Sequence, residues 1–186
     1  MSSVVIAGDT SGSVTLQAPS VAGSTTLTLP STSGTVITSA SSQLTGPAFS
    51  AYSNTTQSLT GFVYTKVSLQ AEEYDTANCF DTSTYRFTPN VTGYYSVTAA
   101  VYLVGGVSAQ LSANIYKNGS NYKQGPFTPP ATNDMGSNIS TLVYMNGSTD
   151  YIELYAYQTG GSARNLYGVA GSSSTTWFQA FLARAA

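Results

Sequence analysis

YRFTPNVTGYYSVTAAVY, residues 85–102, is the stretch of sequence from which the fold can be predicted. After Gly93 an apolar side chain recurs at every second position. Because successive side chains of an extended backbone point to opposite sides, this alternation predicts a long strand with one apolar face. Upstream, Pro89 removes a backbone donor and Gly93 relaxes the backbone, so we expect the chain to bend there. We therefore predict a short strand over 84–88 that leads into a long central strand over 93–104.

Further β-prone segments follow at fairly regular spacing from residue 47 to the end of the chain, and none shows helical periodicity. This spacing favours a β-sandwich. Asn118-Gly119 and Asn146-Gly147 are predicted tight turns, because Asn and Gly accept a positive φ at low cost. Two segments are predicted loops, where a sandwich presents binding chemistry, at 128–136 and 159–174. The other strands are predicted over 48–53, 61–69, 107–117, 121–127, 137–146, 150–158 and 175–184.

Charged side chains are scarce, at 8% of the 186 residues, with 6 basic and 8 acidic. Such a composition offers no electrostatic footprint for a polyanion, so nucleic-acid binding is not expected. No apolar run approaches the length of a membrane span, so no membrane partner is expected. The first residues lack a basic region followed by an apolar run, which predicts synthesis in a cytoplasm without a signal peptide. A length of 186 residues predicts one all-β domain plus an extra segment.

Catalytic and metal chemistry find little support in the sequence. The chain has no histidine, which removes the commonest general base and every Ser-His-Asp or Cys-His arrangement. Its one cysteine, Cys79, excludes an intrachain disulfide and a thiolate metal cluster, and we predict a buried, inert thiol. Glu72, Glu73 and Asp75, with Asp81 nearby, could pair for glycoside hydrolysis or bind calcium, but their spacing favours structural carboxylates. We therefore predict that the protein is not an enzyme and has no catalytic residue, no cofactor and no metal site.

Residues 1–45 differ from the rest, because short β-prone pieces alternate there with Gly, Pro and Ser. None of the pieces is long enough to close a core of its own, so we expect this segment to order by pairing with something else. A disordered linker is the alternative, although the content of β-branched residues is high for a solvated tail. The apolar side chains predicted to make the attachment are Val4, Val5, Ile6, Val14, Leu16, Leu27, Leu29, Val36 and Ile37.

Tyrosine is the outstanding bias of the composition, with 14 residues against seven Phe and one Trp. Tyr151, Tyr155 and Tyr157 alternate with apolar side chains, so they are predicted to stand on the strand face opposite the core. A partner subunit would bury such rings while their hydroxyl groups find polar neighbours. We therefore predict that they lie in a subunit interface, together with Tyr102. An aromatic surface for sugars is the alternative.

A family resemblance begins in residues 85–102. Phe87-Thr88-Pro89 followed by Gly93-Tyr94-Tyr95 resembles the signature of the globular head domain of the first complement component, in the tumour necrosis factor-like jelly-roll superfamily. Other pieces occur in the same order as in that family, although Ala180 stands where the family usually has Gly: Pro47 to Ala51, Thr65 to Val67, Tyr74-Asp75, Ile115 to Gly119 and Trp177 to Leu182. The resemblance covers residues 46–186. It implies an all-β jelly-roll sandwich that assembles as a homotrimer.

The N-terminal segment is similar to a short segment of bacteriophage fibre and virion-surface proteins. The shared pieces are Ser-Gly-x-Val-Thr-Leu-x-Ala-Pro, Thr-Leu-Pro and Gly-Thr-Val, in that order. This similarity implies an extended attachment arm over residues 1–45 and a jelly-roll head over 46–186. We therefore expect a trimeric capsid decoration or cement protein, made in the host cytoplasm and located in the virion. Its arm would attach to the major capsid protein or to another virion protein.

An adhesin is the alternative function. In this interpretation the chain is a tail-fibre or head-fibre protein whose head binds a glycan or protein of the host surface. The residues predicted to form the distal receptor loop are Asn133, Asn165 and Tyr167. Removal of residues 1–45 distinguishes the two functions, because only the decoration protein needs its arm for binding.

Overall fold

The computed structural model describes residues 3–17, 20, 21, 23, 24, 26, 31 and 46–186, apart from 106–108 and 131–132. The chain divides into two compact units, Met1–Val36 and Ile37–Ala186. The predicted boundary between residues 45 and 46 stays a prediction, because residues 32–45 lie outside the described residues. We call residues 46–186 the head.

The first unit contains a β-hairpin, formed by β1 (Ser3–Ala7) and β2 (Ser13–Gln17). Its turn is closed by a hydrogen bond of 2.9 Å from the Gly8 N–H to the Gly12 carbonyl oxygen, and Gly12 takes a φ of 78°. These strands confirm two of the predicted β-prone pieces. Leu27, Leu29, Val36 and Ile37 lie outside the described residues.

The head is built from thirteen strands, and no helix occurs among the described residues. The strands are β3 (Ala48–Tyr52), β4 (Gln57–Leu59), β5 (Thr65–Lys66), β6 (Ala71–Asp75), β7 (Phe80–Asp81), β8 (Arg86–Phe87), β9 (Thr92–Val104), β10 (Leu111–Lys117), β11 (Ser120–Gln124), β12 (Met135–Asn146), β13 (Ile152–Gln158), β14 (Arg164–Leu166) and β15 (Trp177–Ala185).

The strands form two antiparallel sheets. The β9 sheet has the order β4-β14-β9-β15-β3-β6, with β12 paired to β9 as well. The β13 sheet has the order β11-β10-β13-β8-β7, with β5 paired to β13. Strand β9 confirms the predicted long central strand, since β12 pairs with it from Thr92 to Leu103 while β15 pairs with it from Gly93 to Ala100.

The core is made of alternate side chains from both sheets. Phe49 lies at its centre, with its ring stacked on Phe87 at 4.4 Å and on Phe80 at 4.8 Å, and edge-on to Phe178 at 5.1 Å. The fully buried Tyr95 donates its hydroxyl hydrogen to a main-chain carbonyl oxygen at 2.8 Å, so its polar end is satisfied. The apolar side chains thus meet at aromatic contact distances across the sandwich.

Two of the predicted segments differ from the structure. Residues 61–69 were expected to form one strand, but only β5 is extended there, because Phe62 takes a left-handed φ of 59° and interrupts the strand. Residues 159–174 were expected to be a loop, but β14 pairs with β4 on one side and with β9 on the other. The predicted turns are confirmed, with a φ of 52° at Asn118 and of 70° at Gly147.

Candidate interaction surfaces

The outer face of the β9 sheet carries a group of exposed apolar side chains, which we call the apolar patch. Its members are Tyr94 on β9, Leu142 and Tyr144 on β12, and Phe181 on β15, with exposed fractions of 47%, 58%, 42% and 54%. Leu142 and Phe181 both lie opposite Ser96, one from each side. Contiguous apolar surface of this kind is a mark of an interaction site.

The strand register explains why these four side chains come together. Tyr144 lies opposite Tyr94, and their rings are 5.5 Å apart. Residues paired across antiparallel strands project to the same face, so β12, β9 and β15 all contribute to one surface. The small Ser96 at the centre leaves the larger side chains around it accessible.

A shallow groove continues from the apolar patch along β9. It has a volume of about 460 Å³ and is lined by small or neutral side chains of the sheet, with Trp177 on one wall and residues 123–126 on the other. Thr98 lies opposite both Ser140 and Gln179 at its floor. Lys123 is the only charged side chain among the described residues that line the groove. A neutral face next to an apolar patch is suited to contact with another protein surface.

The apolar patch was missed in the sequence prediction. Alternation along 93–104 placed Tyr94 on the face away from the core, but no local pattern showed which other strands share that face. The available signal was the same alternation within 137–146, which points Leu142 and Tyr144 outward.

The predicted row of tyrosines lies on the outer face of the β13 sheet, where it forms an aromatic cluster. Tyr155 stacks on Tyr116 at 3.8 Å with an interplanar angle of 18°. Tyr64 lies 4.5 Å from Tyr157, whose other neighbour is Phe127 at 5.9 Å. Burial raises the pKa of both Tyr116 and Tyr155.

Neighbouring rings of the same chain cover part of these tyrosines. Ile152, Leu154 and Ala156 are fully buried, which confirms the orientation of the strand. The tyrosines that alternate with them are half-buried. A ring of β10 stacks on Tyr155, and a ring of the loop before β5 lies against Tyr157. Their place in a subunit interface stays a prediction.

A buried carboxylate lies within this face. Glu153 is 1% exposed, and its Oε1 accepts from the Lys66 ammonium at 2.6 Å and from the Arg86 guanidinium at 2.8 Å. The Arg86 guanidinium also lies 4.1 Å from the centre of the Tyr151 ring. The hydrogen bond to Glu153 raises the pKa of Arg86. Two cations thus neutralise one buried charge.

We expect Arg86→Met to lower the free energy of unfolding by about 1–2 kcal/mol, because Glu153 then keeps Lys66 as its only cationic partner. Urea unfolding of the purified chain measures the loss. Arg86→Lys is the matched control, since it keeps a cation near Glu153 and should lose less than half as much. Equal losses in the two variants would contradict the assigned role of the ion pair.

Tyr102 lies on the outer face of the β9 sheet, so the structure does not bring it to the other three predicted interface tyrosines. Its hydroxyl hydrogen points to a carboxylate oxygen of Asp134 at 3.4 Å, and its ring is 6.3 Å from Tyr167. Burial, followed by the charge of Asp134, raises the pKa of Tyr102. Tyr102 and the tyrosines of β13 lie on different sheets. The place of Tyr102 in a subunit interface stays a prediction.

The residues of the predicted receptor loop lie near this end of β9. Asn165 on β14 is paired with Val104, and the Tyr167 N–H donates to the Tyr102 carbonyl oxygen at 2.7 Å. Asn133 adjoins Asp134, which contacts Tyr102. The three predicted residues therefore gather around Tyr102, which gives one small polar and aromatic surface. Its function as a receptor site stays a prediction.

The acidic side chains Glu73 and Asp75 of β6 accept hydrogen bonds from hydroxyl groups and from backbone N–H groups. Glu73 accepts from the hydroxyl groups of Ser50 and Ser173 at 2.7 and 2.6 Å, and these bonds lower the pKa of Glu73. Asp75 accepts from two backbone N–H groups, one of them that of Phe80 at 2.6 Å. Among the described residues, no group of three or more His, Cys, Asp and Glu side chains could hold a metal ion. Cys79 is buried as predicted, and burial raises the pKa of its thiol.

The stability of the turn after β7 is expected to fall in acid. Asp81 accepts hydrogen bonds from the N–H and hydroxyl of Ser83 and from the hydroxyl of Thr84, and these lower the pKa of Asp81 from 3.8 to about 2. The pKa is lower in the folded state, so the stabilisation is complete above pH about 4 and is lost as the pH falls towards 2. We expect Asp81→Asn to reduce the loss of stability over that range. Urea midpoints of both chains between these pH values measure it, and parallel curves would contradict the prediction.

Solved structures with the same architecture identify the fold of the head. The globular domain of zebrafish complement 1qA protein matches with a TM-score of 0.56 and 14% identity, over 75% of this chain and 99% of that chain. The fold is the jelly roll of the complement and tumour necrosis factor domains. Eiger TNF from S. frugiperda matches with a TM-score of 0.56 and 12% identity, over 75% and 93% of the two chains. Murine APRIL at pH 5.0 matches this jelly roll with a TM-score of 0.53 and 10% identity, over 73% and 98%.

These identities are low, so the similarity concerns the fold of the head alone. It confirms the predicted all-β jelly roll. No protein-family model matches the chain, and no curated protein matches it. No helix of the described residues has the length and apolar character needed to cross a membrane. The trimer and the virion arm stay predictions.

Proposed function

We propose that this chain is a structural protein of a bacteriophage particle, a capsid decoration or cement protein. Three jelly-roll heads associate through the outer face of the β9 sheet, and the N-terminal arm of each copy attaches the trimer to the shell. The function is binding and stabilisation, and no step of chemistry is required. The partner of the arm is the major capsid protein or another virion protein.

The observation that carries this proposal is the contrast between the arm and the head. Every described residue from 3 to 17 is exposed, including the apolar side chains of β1 and β2, whereas the head has a closed core of its own. An isolated two-stranded hairpin is marginally stable in water, so the arm calls for a partner, which can be a sibling copy as well as the shell. Extended arms can pair in β fashion with a neighbouring subunit.

The trimer is supported by the apolar patch and the groove beside it. Both lie on one sheet face and carry little charge, as the interface between identical subunits requires. Assembly of three copies also presents three arms to the shell at once, which converts a weak contact into a durable one.

Deletion of residues 1–45 tests the proposal. We expect the truncated head to stay folded and trimeric but to bind particles that lack the native protein at least about 100-fold more weakly, since all three arms are lost. Val63→Glu in the full chain is the control, because it changes an exposed loop residue of the head and leaves the arm intact. A truncated chain that still decorates particles fully would contradict the proposal.

An adhesin is the second candidate, and a specific observation favours it. Tyr102, Tyr167, Asn165 and the segment at Asn133 gather at one end of the head, and aromatic rings next to amide groups suit a sugar. In that case the truncated head would still bind host cells or envelope polysaccharide, and Tyr167→Ala would abolish the binding.

A further inference from the structure

The hairpin of the first unit has two different faces. Val4 lies opposite Leu16, and Ile6 lies opposite Val14. Paired residues project to the same side, so these side chains form one aliphatic face with no polar member. The other face is formed by the pairs Ser3–Gln17, Val5–Thr15 and Ala7–Ser13. The pattern is that of a sheet with one side in contact with a partner and the other side in water.

We propose that this aliphatic face packs against the same face of the hairpins of two sibling copies, so that the three hairpins of one trimer form a three-sided bundle. The inference rests on the trimer of the proposed function and deepens it, because it names what covers Val4, Ile6, Val14 and Leu16. Attachment to the shell then falls on other parts of the arm.

The size of the face favours siblings over a separate partner. It consists of four side chains, whereas a stable complex between separate proteins buries about 800 Å² on each partner, from some 20–30 residues. So small a face cannot by itself hold a freely diffusing protein. Hairpins tethered to one trimer meet at an effective concentration on the order of millimolar, at which a small contact suffices.

Neither the charge of the arm nor the length of its linker prevents the three hairpins from meeting. Asp9 is the only charged side chain among residues 1–45, and it lies in the hairpin turn rather than on the aliphatic face. Like-charge repulsion therefore does not oppose the approach of identical copies. Residues 18–45 separate the hairpin from the head, and 28 residues span up to about 90 Å, so hairpins that start from three heads can meet.

Cross-linking in the full chain tests the bundle. Val14→Cys places a thiol on the aliphatic face, and Thr15→Cys places one on the opposite face of the same strand. A short bismaleimide is expected to join up to two of every three Val14→Cys chains into covalent pairs, with a yield unchanged by tenfold dilution. Thr15→Cys is expected to give at least tenfold fewer pairs. The native chain measures the background from the buried Cys79.

Equal yields for Val14→Cys and Thr15→Cys, or no pairs for Val14→Cys in a protein that sediments as a trimer, would overturn the inference. Leu16→Cys, on the same face as Val14, repeats the test in case one substitution disturbs the hairpin. Sedimentation separates this failure from failure of the proposed function. If the native chain were a monomer, the trimer itself would be wrong, and any pairs would disappear on dilution.

Discussion

A Leu142→Glu chain is expected to sediment as a monomer at concentrations at which the native chain is a trimer. Leu142 is the most exposed member of the apolar patch, and it faces Phe181 across Ser96. Assembly would bury a carboxylate among the apolar side chains of the patch, and burial of a charge costs several kcal/mol unless a cation pairs with it. We expect association to weaken at least about 100-fold, which corresponds to roughly 2.7 kcal/mol.

The matched control for this variant is Val63→Glu. It introduces the same carboxylate at an apolar side chain that is 48% exposed, in the loop before β5 rather than on the β9 sheet. This variant should remain a trimer. Position 142 lies outside the core, so the substitution should leave the head folded. Circular dichroism of both variants checks this. A trimeric Leu142→Glu chain would remove the apolar patch from the interface.

Phe49→Ala is expected to lower the free energy of unfolding by about 3–5 kcal/mol, which is the range for truncation of a buried aromatic side chain. Phe49 is fully buried and contacts three other phenylalanine rings, which the two sheets contribute together. Its removal therefore leaves a cavity between the sheets that rigid strands fill only in part. Urea unfolding at neutral pH measures the loss.

Phe181→Ala separates core packing from assembly. Phe181 pairs with Ala48, the neighbour of Phe49 in the chain, but its ring points to the outer face. We expect it to weaken association of the copies while the free energy of unfolding of the single chain changes by less than about 1 kcal/mol. If the two alanine variants lost equal stability as monomers, Phe49 would not be the centre of the core.

The long strands could be predicted from the sequence because each of them buries one face over many residues. In β9, alternate positions from Tyr95 to Leu103 are buried, and period-2 alternation of this length has no competing explanation. The same reasoning located β12 and β13. The turns at Asn118 and Gly147 followed from residue chemistry alone.

The shorter elements could not be predicted, because partners distant in sequence fix them. The segment after Gly61 looked like the start of a strand, but the Phe62 N–H donates to the Gln158 carbonyl oxygen at 2.8 Å and the backbone turns there. Strand β14 has three residues, too few for a pattern, and it exists because β4 and β9 pair with it from both sides.

For the surfaces, too, the sequence indicates which way a side chain points but not which strands lie beside it. The outward direction of Tyr155 and Tyr157 follows from local alternation, but their stacking on Tyr116 and Tyr64 depends on which strands are neighbours. The apolar patch combines residues from β9, β12 and β15, so it requires a register that local patterns do not contain. The outward direction of Tyr102 likewise follows from alternation along β9, whereas its contact with Tyr167 depends on the pairing of distant segments.

Sedimentation equilibrium of the purified full chain tests the central claim most directly. That claim is that three copies associate through the outer face of the β9 sheet. At micromolar concentration the expected result is a single species with three times the mass of the 19.4 kDa chain, converted to the single-chain mass by Leu142→Glu. A well-folded native chain that sediments at 19.4 kDa, with Leu142 and Phe181 open to water, would contradict the claim.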